Sequence, residues 1–249
     1  MATTAILSAL AQEQQGLVEQ LQGARRVRRA GRDFWQGRLH GQPVVLALSR
    51  IGKVAAASTA TTLIEAFAVQ RVIFTGVAGG LGTGVHIGDL VVATGFVQHD
   101  MDASPLFARF EVPLYGRAGF DCDVALTGLL AQACRLGLAS PRPDMPAHSA
   151  SVHRGLIASG DQFVSTALAA TQLQAAMREA GMEPLAVEME GAAVAQVCHD
   201  YGIPFAAVRT ISDRADEASA ADFQHFVTHV ASHYARTIVG RLMLLLPAT

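Results

Sequence analysis

The stretch that most constrains this chain is residues 185–213, LAVEMEGAAVAQVCHDYGIPFAAVRTISD. A short apolar run at 185–187 precedes a helix-compatible segment at 189–201 and a Gly202-Ile203-Pro204 turn. A second apolar run, 205–211, then delivers Ser212 and Asp213 at its end. A strand–helix–strand unit of this kind needs a sheet with helices packed on its faces. It also places Glu188, Glu190, Arg209 and Asp213 at or beside strand ends, where functional groups of α/β sheets collect. Carboxylates gathered in one place repel each other and resist desolvation unless cations or hydroxyls partner them. A sugar diol is such a partner. A site with several acids also suits a reaction whose transition state develops positive charge, as glycoside cleavage does.

The remaining chain continues the alternation. Residues 3–10 read as a strand and 12–22 as a helix, with Glu13 at the junction. Taken alone, Glu13 fits an acid favoured by the helix macrodipole as well as a functional group. Residues 26–41 alternate polar and apolar, with turns expected at Gly31 and Gly41, and 43–49 read as a buried strand. An alanine-rich helix is predicted over 54–67, then a strand over 70–75 that ends in a glycine-rich turn at 76–80. Its glycines miss the dinucleotide-binding spacing and lead into another strand, 89–97, so a dehydrogenase is disfavoured. Residues 99–119 form a long aperiodic loop of the kind that serves function or an interface; its His99-Asp100 pair lacks further metal ligands. A helix over 121–138, a Pro-rich connection over 139–146, a strand over 152–159 and a helix over 165–180 closed by Gly181 follow. One long helix, 218–246, closes the chain, with His225, His229 and His233 on a solvated face. The pattern predicts α/β architecture in a single domain, 1–249: a three-layer α/β/α sandwich around a mixed, mostly parallel central sheet.

Composition narrows the function. A formal net charge of −2 over 249 residues, without a long basic run, leaves no electrostatic footprint for nucleic acid. Three cysteines lacking CxxC spacing argue against disulfides or zinc and for reduced thiols of a cytoplasmic protein. No signal peptide or membrane span is expected from either end.

VEMEGAAVAQVC followed by VRTISDRAD resembles the signature of the nucleoside phosphorylase/nucleosidase superfamily, most of all the bacterial 5′-methylthioadenosine/S-adenosylhomocysteine nucleosidases. ALAQE (9–13), SRIGKVAAA (49–57), TGVAGGL (75–81), IGDLVVA (87–93) and SGDQFV (159–164) are supporting segments, and the match runs in family order through nearly the whole chain. The resemblance implies a homodimer that hydrolyses a nucleoside directly, with no metal, cofactor or covalent intermediate. Adenine would lie near Phe163 and Val164, its edge read by the Val164 backbone. Asp213, helped by Ser212, would protonate adenine N7. Glu190 would hold the ribose 2′ and 3′ hydroxyls with Met189 under the sugar and Glu188 in support. Glu13 would activate water that Arg209 helps to place. Ile51, Ala78 and Gly79 would line the pocket, Leu10 would take the place of the family's usual methionine, and the 99–119 loop would approach the partner's 5′ pocket. Arg50 stands where the family often has glycine, and Val77 where many members have serine. Arginine near this loop keeps phosphate-dependent cleavage open as the alternative, and a nucleoside-binding module without catalysis is a third reading.

Overall fold

The computed structural model describes residues 2–139 and 150–247. The wholly buried strand β1 (Thr4–Ser8) leads into a single helical turn, α1 (Ala11–Gln14). The helix expected over 12–22 therefore stops early, and Gly16 at φ 83° turns the chain away. Strands β2 (Gln22–Arg29), β3 (Arg32–Leu39) and β4 (Gln42–Leu48) form the antiparallel meander predicted by the alternation. Its two turns place Ala30 and Gly31 at φ 45° and 70°, and His40 and Gly41 at 49° and 79°. Such paired positive values match the twist of the flanking strands.

Helix α2 (Lys53–Phe67) packs small residues, Ala56 and Ala60, into the core and ends at Ala68 in the left-handed region. Strand β5 (Arg71–Gly80) runs through the glycines expected to form a turn, because β5 keeps pairing as far as Gly80. Next come β6 (Leu90–Gln98), β7 (Gly119–Asp121) and α3 (Val124–Leu138), the last capped by Asp123 accepting from the Leu126 N–H at 2.8 Å. The expected Pro-rich connection lies, from Ser140 onward, outside the described residues. Then follow β8 (Val152–Ser159), α4 (Ala167–Glu179), β9 (Pro184–Glu188), α5 (Gly191–Tyr201) and β10 (Phe205–Asp213). The helix predicted over 218–246 is two helices, α6 (Ser219–His229) and α7 (Ala231–Leu245), separated at Val230 with φ −119°. His233, expected on a solvated face, is half-buried, and its Nε2 is shielded from solvent without a hydrogen-bond partner.

The sheet is mixed and folds back on itself. β10 lies parallel to β5 and antiparallel to β6, while β6, β8, β9 and β5 pair in succession. Five strands thus close a small ring, from which β1, β4, β3 and β2 extend. Helices cover both sides, with α2 and α5 over one apolar cluster and α3 and α7 over the other. No described helix is long and apolar enough to cross a membrane. The C-terminal ends of β1, β5, β9 and β10 come together, which gathers chemistry from distant parts of the chain.

Helix α5 meets the ring at Gly191, where an added Cβ would overlap the wholly buried ring of Phe96. So close to the ring, the added carbon forces a shift of backbone or ring. Gly191→Ala is expected to lower stability by about 1–3 kcal/mol, the usual cost of overpacking a core. Urea unfolding reads this directly, and an unchanged midpoint would show that the helix start can shift.

Candidate active site

Four carboxylates line one cavity of about 410 Å³: Glu13 from α1, Glu188 from the end of β9, Glu190 from the turn before α5, and Asp213 from the end of β10. All are buried, at 3%, 7%, 6% and 2% exposure. Glu13 is held by three backbone donors. Its Oε2 accepts from the Ala9 and Leu10 N–H groups at 2.8 Å each, the latter as in a capping box. Its Oε1 accepts from the Val77 N–H at 3.1 Å. The glycines of β5 permit this approach: a Cβ on Gly76 would stand 2.9 Å from Glu13 Oε1, and one on Gly79 2.9 Å from Asp213 Oδ1. Because the bond to Glu13 comes from the backbone, valine serves at position 77 as well as serine would.

Asp213 accepts from the Ala215 N–H at 2.9 Å and from the Ser212 hydroxyl at 2.8 Å. Burial nonetheless raises its pKa, outweighing those bonds, with the charge of Asp222 adding to the rise. Burial likewise raises Glu13, while its backbone donors and the Arg209 cation pull the other way. Glu190 accepts from the Gly52 N–H at 2.9 Å and is pushed up to about 8, by burial first and by the neighbouring Glu188 second. Gly52, at φ 97°, thus joins the loop before α2 to the Glu190 side of the cavity.

Glu188 in the cavity lining and Arg209 behind it form an ion pair. Glu188 Oε2 accepts from Arg209 Nη2 at 2.7 Å, and Glu188 also accepts from the Ser159 hydroxyl and from the N–H groups of Glu190 and Gly191. Glu188, not Glu190, therefore satisfies the N-terminus of α5. Arg209 donates to the Phe74 and Val208 carbonyls at 3.2 Å, lies over the Phe74 ring at 4.1 Å, and is 1% exposed. Arg209, expected to help place the water, does not line the cavity; it acts on Glu13 through its charge.

The other sequence-predicted residues, Leu10, Ile51, Ala78, Gly79, Phe163, Val164, Met189 and Ser212, all line the same cavity. Phe163 is 47% exposed at its mouth and meets Phe223 of α6 edge-on at 5.7 Å. Sequence reasoning passed over Phe223, Ala220 and Gln162, which also line it. Phe223 sits in an ordinary amphipathic helix, so no local signal marks it. Gly52 was within reach, since it lies inside the SRIGKVAAA segment beside Ile51. No Lys or Arg lines this cavity among the described residues.

Glu190 makes a testable statement about pH. Its folded pKa exceeds its unfolded one, so the folded form holds a proton that the unfolded chain releases between about pH 4.5 and 8. Stability contributed by this group is present below that window and is lost as pH rises through it. Glu190→Gln should remove that part of the decline, an effect on the order of a few kcal/mol between pH 5 and 8. Denaturant midpoints of both proteins across that range check it; parallel curves would contradict it.

A nucleoside-sized cavity walled by buried carboxylates at the strand ends of a partly closed α/β sheet defines the class. A model of the Phosphorylase superfamily matches residues 3–242, and the chain belongs to that superfamily. Within it, the chain is 37% identical to a 5′-methylthioadenosine/S-adenosylhomocysteine nucleosidase of Chromohalobacter salexigens, over 96% of this chain and 95% of that protein. It is 36% identical to the nucleosidase of the same name from Bacillus thuringiensis, over 94% and 96%. The Neisseria meningitidis nucleosidase, solved with methylthio-immucillin-A, superposes with a TM-score of 0.88 at 35% identity, covering 99% of this chain and 100% of that one. A futalosine hydrolase of Helicobacter pylori superposes at 0.83 with 32% identity, covering 96% and 97%.

Proposed function

We propose that this protein hydrolyses the N-glycosidic bond of 5′-methylthioadenosine and S-adenosylhomocysteine, releasing adenine and the 5′-thioribose. The observation that carries this reading is a cavity lined by Glu13, Glu190 and Asp213 and by no cation among the described residues. Phosphorolysis needs a cation to hold a phosphate dianion beside the sugar. Arg209 is committed to Glu188, and Arg50 bonds the Gly31 carbonyl at 2.9 Å outside this cavity. The relatives' names support the same reaction.

In the mechanism, the base lies between Phe163 and Asp213, with Val164 at its edge. Asp213 donates its proton to adenine N7, so the base departs neutral, and burial raises the Asp213 pKa in the direction this role needs. Glu190 accepts hydrogen bonds from the ribose hydroxyls, with Met189 beneath the ring. As the C1′–N9 bond breaks, the ribosyl gains oxocarbenium character that the surrounding carboxylates stabilise. Glu13 takes a proton from the water attacking C1′. The two catalytic acids are separated by their neighbours: Glu13 feels the cation of Arg209, whereas Asp213 feels the anion of Asp222. That bias favours an ionised base and a protonated acid together.

The same reading makes the protein a cytoplasmic homodimer of methionine salvage, with the 99–119 loop near the partner's 5′ pocket. Leu106 and Leu114 of that loop and Val54 of α2 are 83%, 92% and 81% exposed, which supports a partner surface. The deciding experiment follows adenine release from 5′-methylthioadenosine in phosphate-free buffer. Cleavage there supports hydrolysis, and strict dependence on phosphate would move the protein to the phosphorylase reading.

A further inference from the structure

A second cavity, of about 630 Å³, adjoins the nucleoside cavity and shares Ala9, Leu10 and Ile51 with it. The base end of the nucleoside cavity is marked by Phe163 and Asp213, and its sugar region by Glu190. On the nucleosidase reading, Leu10 and Ile51, which line both cavities, form the boundary that a 5′ substituent crosses. The chemistry changes across that boundary. The first cavity carries acids alone, whereas the second carries Arg32 and Arg50 together with Glu19 and Asp33.

We propose that this second cavity receives the amino-acid end of a 5′-thioether chain, with Arg50 binding its carboxylate, so that zwitterionic 5′ tails are favoured over short apolar ones. This inference rests on the nucleosidase reading and adds to it a substrate preference. Arg50 is exposed and uses Nη2 on the Gly31 carbonyl at 2.9 Å; its Nε and Nη1 have no protein partner among the described residues. Its backbone lies at φ 70°, a conformation that disfavours any residue with a Cβ. A side chain kept there against backbone preference points to a use for the side chain. Arg32 is fixed by bonds to the Ala30 and Ser49 carbonyls at 3.2 and 3.3 Å. Burial and the nearby Arg50 both disfavour its charged form, a tension that a carboxylate at the two guanidiniums would relieve. Glu19 is exposed, with no ion-pair partner among the described residues, and offers an anion for the ammonium group. The reach also fits. Gly52, whose N–H holds Glu190, is two residues from Arg50, at most about 7 Å along the backbone, and a thioether-linked amino acid has comparable length.

The test compares kcat/KM for three 5′-thioadenosines, with methyl, butyl and homocysteine tails, in the wild type, Arg50→Gly and Arg50→Lys. Glycine is unstrained at this φ, so Arg50→Gly keeps the loop. The expected result is a loss of about tenfold for the homocysteine tail in Arg50→Gly, partly recovered in Arg50→Lys, as for a charge-assisted bond. The methyl and butyl tails should stay within about twofold. Equal losses on all three, or no loss on the homocysteine tail, would overturn the tail site while leaving the nucleosidase reading in place. Failure of the wild type to cleave any of the three would instead overturn that reading.

Discussion

Asp213→Asn is expected to lower kcat by about 10²–10⁴-fold with little change in nucleoside affinity. The amide has the same shape, and its oxygen still accepts from the Ala215 N–H that now holds Oδ1. What it lacks is a proton to give to the departing base. A secondary loss of fold is not expected, because burial already favours the neutral form of this carboxyl. The pH profile separates a chemical role from a merely structural one. In the wild type the rate should fall as pH rises through the raised pKa of Asp213, since the acid must start protonated. In Asp213→Asn that limb should vanish. Turnover within threefold of the wild type, or an unchanged alkaline limb, would remove Asp213 from the mechanism.

The sequence made the alternation of strands and helices legible, because periodicity and turn residues act locally. The meander of β2 to β4 was readable from Gly31 and Gly41 for the same reason. What escaped depends on contacts far along the chain. The glycines of 76–80 looked like a turn, yet they remain in β5 so that the Glu13 and Asp213 carboxylates can approach a backbone without Cβ atoms. The closure of the sheet through β10 and β5 has no local signature at all. The break at Val230 interrupts a continuous helical pattern, and tertiary packing decides it.

The site was more legible than the fold around it, because its residues bear charges where charges are expensive. Arg209, the one candidate residue that does not line the cavity, shows what local pattern leaves open. Counting alternate residues along β10 puts Arg209 and Asp213 on one face. An irregularity between Ile211 and Asp213 re-aims the strand end. Asp213 turns into the cavity, while Arg209 stays beneath it against Phe74 and Glu188.

Glu13→Gln should likewise cost about 10²–10⁴-fold in kcat, but through the opposite limb of the pH profile. A base must start ionised, so wild-type activity should rise with pH through the raised pKa of Glu13 before falling through that of Asp213. The resulting bell belongs to the pair of groups, and each amide substitution should remove one side of it. Glu13→Gln carries a structural cost that Asp213→Asn does not. Both Glu13 oxygens accept backbone N–H groups, so the glutamine NH₂ must face a donor wherever it is placed. The milder choice faces Val77 alone and should destabilise the protein by about 1–3 kcal/mol. Activity must therefore be read well below the unfolding temperature, alongside binding of 5′-methylthioadenosine by calorimetry. Retained binding with lost turnover assigns Glu13 to water activation. Loss of both in equal measure would reduce Glu13 to a strut between α1 and β5, and normal turnover would leave the attacking water without its base.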